Sequence, residues 1–385
     1  MLTKNIRYRN FSIKNNLTNI KKDLKLLLSQ NIGALKSLKN SFKYNYSKNL
    51  VKKLKKISNV RIIGMGGSNL GAEAIYNFLG DKVKKNFIFT NNLTNNQKLF
   101  NNKKNILNLV ISKSGNTLET ISNVNILIKK SDQNVFITEK KDSYLKNLAK
   151  KLKAEIIEHK NFIGGRYSVL SEVGMLPAEL MGLNQRKFKQ LNNLIKNKNF
   201  INNLVKNVGS TISLLKKGRL NSIILNYDEQ SKSFFKWYQQ LVAESLGKKS
   251  KGILPIISTM PKDNHSVMQL YLDGPKNNFF TFFNVKNKKN YKIKSDAILT
   301  SHKYLRNKDI GKIIEAQKLA TEKVFAKKKI PFRSFEILNR NEATLGELFC
   351  FFILETILIG RSLKVNPFDQ PSVELIKEET KKILI

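Results

Sequence analysis

The sequence predicts an α/β protein with two doubly wound parallel sheets, each the middle of a three-layer α-β-α arrangement, and helical segments at both ends of the chain. Three observations carry this expectation. Short apolar runs rich in branched residues alternate with helical patterns between residues 60 and 157. A second alternation of the same kind begins at Leu220. Two strand-to-helix junctions of the first set are built from glycine and hydroxyl residues, at the carboxyl ends of strands where open parallel sheets bind ligands.

In chain order, residues 1–58 read as a mostly helical, amphipathic and basic segment ending in VKKLKK. Val60 to Ile63 form a strand, and Gly64, Gly66 and Gly67 follow where the backbone must come close to something. Ser68 can donate to a ligand there, and a helix starts at Leu70. The glycines lack dinucleotide-binding spacing, because Asn69 stands where a third glycine is needed. Further strands are expected at 86–90, 107–111, 134–138 and 154–157.

The 107–111 strand leads into Ser112, Lys113, Ser114, Gly115, Asn116 and Thr117, with Thr120 three residues on. Apolar positions then recur at helical spacing from Leu118. The first N–H groups of a helix have no internal partner and carry partial positive charge. Hydroxyls and an ammonium around the same point make a phosphate cradle, against the plainer reading of a capped turn.

Gly164 and Gly165 then precede Arg166, a guanidinium expected on a flexible loop before a helix. Residues 185–219 read as a helical crossover between a first unit, 59–184, and a second, 220–362, with a tail at 363–385. The second unit offers strands at 221–227, 254–259, 279–285 and 331–338. Its helix at 234–247 carries Gln240 and Glu244 four residues apart, hence on one face. A long apolar helix fills 342–361, and a last helix starts near Val373.

At 385 residues and 41% hydrophobic content, the chain has material for two domains of ordinary size. No run reaches the roughly 18 uninterrupted apolar residues of a membrane span. LFCFFILETILIG at 348–360 is short, carries Glu355 and reads as a core helix. The N-terminus lacks the apolar stretch of a secretory signal. The single thiol, Cys350, cannot form an internal disulfide and fits a reducing cytoplasm. The net charge of +42 raises the possibility of a nucleic-acid partner. Its lysines are instead scattered among asparagines, with no concentrated basic face, so no nucleic-acid role is expected. A field of this sign attracts anionic substrates all the same.

Three histidines occur. His159 and His302 lie in polar loops and are expected to be solvated; His265 follows Asp263 and Asn264 at a strand-to-helix junction. No Cys/His cluster has metal-ligand spacing.

Five segments in order give the chain a family resemblance: GMGGSNLG at 64–71, ISKSGNTLET at 111–120, GGRYSVLSEVG at 164–174, QQLVAESLGK at 239–248 with DNHSVMQLYLDG at 263–274, and PFDQPSVELIK at 367–377. The set resembles the phosphoglucose isomerase family, built from two sugar-isomerase (SIS) subdomains. That resemblance implies an aldose–ketose isomerase of glucose 6-phosphate and fructose 6-phosphate, with no metal or redox cofactor. It implies a sugar phosphate held by Ser112, Lys113, Ser114, Thr117 and Thr120, with Gly67 and Ser68 near the sugar and Gln240 and Gln370 close by. Glu244 matches the base that moves a proton between C2 and C1, Arg166 the cation beside the enediolate, and His265 and Lys377 the ring-opening groups. The family is typically a homodimer in which the histidine reaches the partner's site. A dual phosphoglucose/phosphomannose isomerase and a non-catalytic phosphosugar-binding regulator are the competing readings on the same scaffold.

Overall fold

The computed structural model describes residues 1–13, 17–95, 105–286, 291–294 and 296–385. The Lys/Asn-rich stretches near 91–97 and 286–294 therefore lie partly outside the described residues. Among the described residues, ten strands, β1 (Ile6–Arg9), β2 (Asn59–Ile63), β3 (Asn86–Thr90), β4 (Ile106–Ile111), β5 (Gln133–Thr138), β6 (Glu155–Glu158), β7 (Asn221–Asn226), β8 (Leu254–Thr259), β9 (Asn278–Val285) and β10 (Phe332–Ile337), form two five-stranded sheets.

The first sheet has the order β3-β2-β4-β5-β6 and every pairing in it is parallel. Chain progress reverses direction between β2 and β4, so the crevice beyond their carboxyl ends is the topological switch point. The buried runs of β4 and β5 are continuous rather than alternating, as a sheet covered on both faces requires.

The second sheet has the order β1-β10-β9-β7-β8, with β7, β8, β9 and β10 parallel and β1 antiparallel on the edge. This corrects the expectation that residues 1–58 are mostly helical. Ile6 and Tyr8 face inward while Arg7 and Arg9 face out, a period of two in the segment IRYR. Four residues are too few to outweigh the amphipathic pattern that follows them; only pairing with β10, Ile6 against Ile337, makes them a strand.

The helix Glu342–Ser362 is long and apolar enough to cross a membrane by composition, yet 94% of its apolar window is buried inside the fold. Its rings Phe349, Phe351 and Phe352 meet Phe234, Trp237 and Phe335 from neighbouring elements. Cys350 lies in the same core, where burial pushes its thiol up to about 12.

One ion pair is sealed in this apolar mass. Arg333 of β10 pairs with Glu355, donates through Nε to Thr281 Oγ1 at 2.9 Å and through Nη1 to Asn207 Oδ1 at 2.8 Å. The Tyr8 hydroxyl donates to the same Asn207 oxygen at 2.9 Å, so the network ties β1 to the core. Removing one partner of such a pair leaves a charge without compensation in a medium that cannot solvate it. Glu355→Leu is expected to lower unfolding stability by about 3–5 kcal/mol, measured by denaturant titration, and Arg333→Met with Glu355→Leu by distinctly less.

Candidate active site

The Gly64–Ser68 turn and the Ser112–Thr117 turn stand side by side at the switch point, beyond β2 and β4. Gly66 has φ +52°, and a Cβ there would lie 2.6 Å from the Gln240 amide nitrogen. A Cβ on Gly67 would lie 2.2 Å from the carbonyl carbon of Gly165. The two glycine turns therefore pack backbone on backbone, and the second one continues as a 3-10 turn, Gly165–Leu170, carrying Arg166.

Arg166 is not on a flexible loop, as the sequence led us to expect; it is 2% exposed. A guanidinium removed from water needs an acceptor for each donor. Nε donates to Ser245 Oγ at 2.8 Å, Nη1 to Gln370 Oε1 at 2.6 Å and Glu244 Oε2 at 3.2 Å, and Nη2 to the carbonyls of Pro367 at 2.7 Å and Asp369 at 2.9 Å. The indole nitrogen of Trp237 holds the Arg166 carbonyl at 3.2 Å.

Glu244 and Gln240 share one face of the helix Lys232–Leu246, and the Gln240 amide donates to Glu244 Oε1 at 2.8 Å. The Glu244 side chain remains 31% exposed while that of Arg166 is 1% exposed. A carboxylate open to a cleft, with a fixed cation behind it, can accept a proton from a bound molecule and leave the new negative charge next to the guanidinium.

These groups line a cleft of about 530 Å³. Gly67, Ser68, Lys113, Ser114, Thr117, Arg166, Gln240, Glu244, Gln370 and Lys377 all border it. Three expected residues do not. Ser112 is buried behind the turn, 3.0 Å from Thr117 Oγ1, and its hydroxyl accepts the Gly115 N–H at 3.2 Å. Thr120 is buried one helical turn further in. His265 sits exposed on the short turn Lys262–His265 after β8, outside the lining of the cleft.

Glu119, Glu139, Lys141, Val373 and Glu374 also line the cleft and were not anticipated. Glu139 follows β5 and pairs with Lys113 at 3.6 Å, a contact set by strand order. A larger cleft of about 730 Å³ lies elsewhere, bordered by Phe42, Tyr44, Tyr46 and Lys189. Its lining carboxylate, Glu179, accepts the Tyr46 hydroxyl at 2.9 Å and, among the described residues, has no arginine beside it in that lining other than Arg186.

Two sheets of mainly parallel strands, with a hydroxyl- and lysine-rich cleft at the strand tips that holds a carboxylate beside a guanidinium, give the molecule a SIS-type fold. A family model described as phosphoglucose isomerase matches residues 18–385. The chain belongs to the phosphoglucose isomerase family. It is 33% identical to the glucose-6-phosphate isomerase of Methanocaldococcus jannaschii, over 88% of this chain and 86% of that one. The enzyme of the same name from Mycoplasmopsis pulmonis is 35% identical, over 84% and 82% of the two chains. Among solved structures, a hypothetical protein from Thermus thermophilus shares the fold with a TM-score of 0.79 at 21% identity, covering 96% of this chain and 94% of that one. A glucose-6-phosphate isomerase from Chlamydia trachomatis gives 0.75 at 17% identity, with 99% and 89% covered.

His159 also departs from expectation: it is buried, 2% exposed, just past β6 rather than solvated. Extension of the β6 ladder draws it in, because its N–H bonds the Thr138 carbonyl at 2.8 Å. Burial pushes its imidazole down to about 4 from the ordinary 6.5. The unfolded chain therefore takes up this proton more readily, and stability present above pH 6.5 is lost as pH falls towards 4. The loss is about 3 kcal/mol at the acid end. His159→Asn should reduce the acid-side fall in unfolding free energy, followed by denaturant titration between neutral pH and the lower value.

Proposed function

We propose that this chain interconverts D-glucose 6-phosphate and D-fructose 6-phosphate, moving one proton between C1 and C2 through a cis-enediol. The observation that carries the reading is the Arg166–Glu244 pair at 3.2 Å, buried on the arginine side and open to the cleft on the carboxylate side. Lys113, Ser114 and Thr117, with the N-terminus of the helix Leu118–Leu127, form the phosphate end. Ser112 and Thr120 support that end from behind. Ser68 and Gly67 face the sugar, and Gln240 orients Glu244.

Glu244 removes the proton α to the carbonyl and returns it to the neighbouring carbon. Arg166 stabilises the enediolate, where charge develops without any reorganisation of solvent. The phosphate, remote from the reacting carbons, supplies binding energy that keeps C1 and C2 in register. Ring opening is assigned to His265 and to Lys377, which borders the cleft and pairs with Glu374 at 2.6 Å.

The reading includes a homodimer in which His265 serves the partner's cleft, supported by its exposure away from its own. It also places the enzyme in glycolysis and gluconeogenesis in the cytoplasm, in keeping with one buried thiol. The division into subdomains at 59–184 and 220–362, with crossover 185–219, belongs to the same proposal; it is supported by the parallel strands β2–β6 of the first and β7–β10 of the second, to whose edge the N-terminal β1 is added.

A coupled assay following glucose 6-phosphate formation from fructose 6-phosphate tests the activity; no turnover would end the reading. Glu244→Gln should lower kcat by about 10²–10⁴-fold while fructose 6-phosphate still binds, as measured by calorimetry. For the shared site, inactive Glu244→Gln and His265→Ala subunits are mixed and reassorted. One intact site in each mixed dimer should restore about a quarter of normal activity. Absence of recovery would place His265 in its own subunit's site, and an active His265→Ala homodimer would place it in none.

A further inference from the structure

The residues that anchor Arg166 extend beyond the cleft. Tyr167, Ser245 and Lys248 do not border it. All three bond to Arg166 or to the segment Asn366–Gln370, which crosses the top of the site before the last helix. That helix, Ser372–Leu384, has no buried residue, yet it contributes Val373, Glu374 and Lys377 to the cleft wall. Its placement therefore depends on what holds the strap in front of it.

The hydrogen bonds have a forced direction. Arg166 Nε can only donate, so Ser245 Oγ must accept at 2.8 Å. Ser245 then has its own proton for Tyr167 Oη, 2.9 Å away. The Tyr167 hydroxyl in turn donates to the Pro367 carbonyl at 2.9 Å. Burial raises that phenol above its ordinary range, so it keeps the proton it must donate. The same carbonyl accepts Arg166 Nη2 at 2.7 Å, which closes the ring. Ser245 and Tyr167 are 0% and 1% exposed, so no water replaces a missing member. Lys248 fastens the strap from outside, through the Asn366 carbonyl at 2.6 Å and Asp369 Oδ1 at 3.1 Å.

We propose that Ser245 and Tyr167 are positioning residues for the isomerisation. With Arg166, which donates at both ends, and the Pro367 carbonyl, which accepts at both, they form a closed hydrogen-bond ring that fixes the strap, and so sets Gln370 and Lys377 over the base. Neither side chain touches the sugar. Their effect reaches it through the guanidinium on one side and the strap on the other. Ser245 also follows Glu244 in the chain, so one turn of helix carries the base toward the cleft and the ring member away from it. The proposal rests on the isomerase reading for its kinetic arm only.

The test uses the full chain with Tyr167→Phe, Ser245→Ala and the double variant. Tyr167→Phe keeps the ring that packs at 5.6 Å from Phe368 and removes only the hydroxyl. Each single variant is expected to lower kcat for fructose 6-phosphate about tenfold, or about 1.4 kcal/mol, with little change in KM. The double variant should be no worse than either single, because one break already opens the ring. Hydrogen exchange in peptides from 363–385 should quicken in all three without sugar, while peptides covering β2 and β4 stay unchanged. Unaltered kcat in Tyr167→Phe, or losses that multiply in the double variant, would overturn the proposal. So would unchanged exchange in the tail, a result that stands even if the wild type turns over no hexose phosphate. Should Ser245→Ala not fold, Tyr167→Phe decides the matter on both readouts.

Discussion

A single constraint organises this molecule: a guanidinium taken out of water must find an acceptor for each donor. Arg166 meets that demand with five acceptors from two remote stretches of the chain: Glu244 and Ser245 on the helix Lys232–Leu246, and the carbonyls of Pro367 and Asp369 with the side-chain oxygen of Gln370. Left unsatisfied, such a group costs several kcal/mol, so the elements carrying its acceptors are held together as firmly as any core contact. Glu244 gains its place in the same way. Its carboxylate is fixed on one oxygen by Gln240 and on the other by Arg166, and it still faces the cleft. Rigidity behind Glu244 and openness in front of it come from one set of bonds.

That arrangement needs two backbones to touch. The approach of Gly67 to Gly165 leaves no room for a β-carbon, and Gly66 makes space for the Gln240 side chain. These glycines lie at the switch point of the first sheet, where strand order opens a crevice. The sheet supplies the crevice, the glycines let the arginine turn close over one side of it, and the hydroxyl-rich turn after β4 lines the other. The second sheet contributes through the helix that follows β7, and its aromatic core holds that helix in place. Arg333 and Glu355 repeat the first principle deep in that core, with neutral acceptors sharing the load.

The net charge of +42 plays no part in these bonds. Most of the lysines decorate exposed faces, and the ions that matter are few and placed: Lys113 beside Glu139, Lys248 on the strap, and Arg166 beneath Glu244. A field of this sign draws anions toward the molecule.

Much of the fold could be read from local signals. Strands β2 to β10 announced themselves as branched or aromatic runs between turns, and the turns after β2 and β4 were legible because glycine and hydroxyl residues favour turns and helix N-termini. The spacing of four between Gln240 and Glu244 by itself puts them on one helical face. Family resemblance then supplied roles that no spacing could. What the sequence could not reveal was set by long-range partners. Strand β1 is four residues whose strand partner, β10, lies some 330 positions away. His159 looks like a loop residue until the β6 ladder buries it, and Arg166 looks mobile until five acceptors from distant segments close around it. Local sequence determines backbone preference and which residue types lie near a turn, because those depend on neighbours a few positions apart. Burial, and with it the charge state and freedom of a side chain, depends on which remote segments pack against it, and that only the tertiary structure decided.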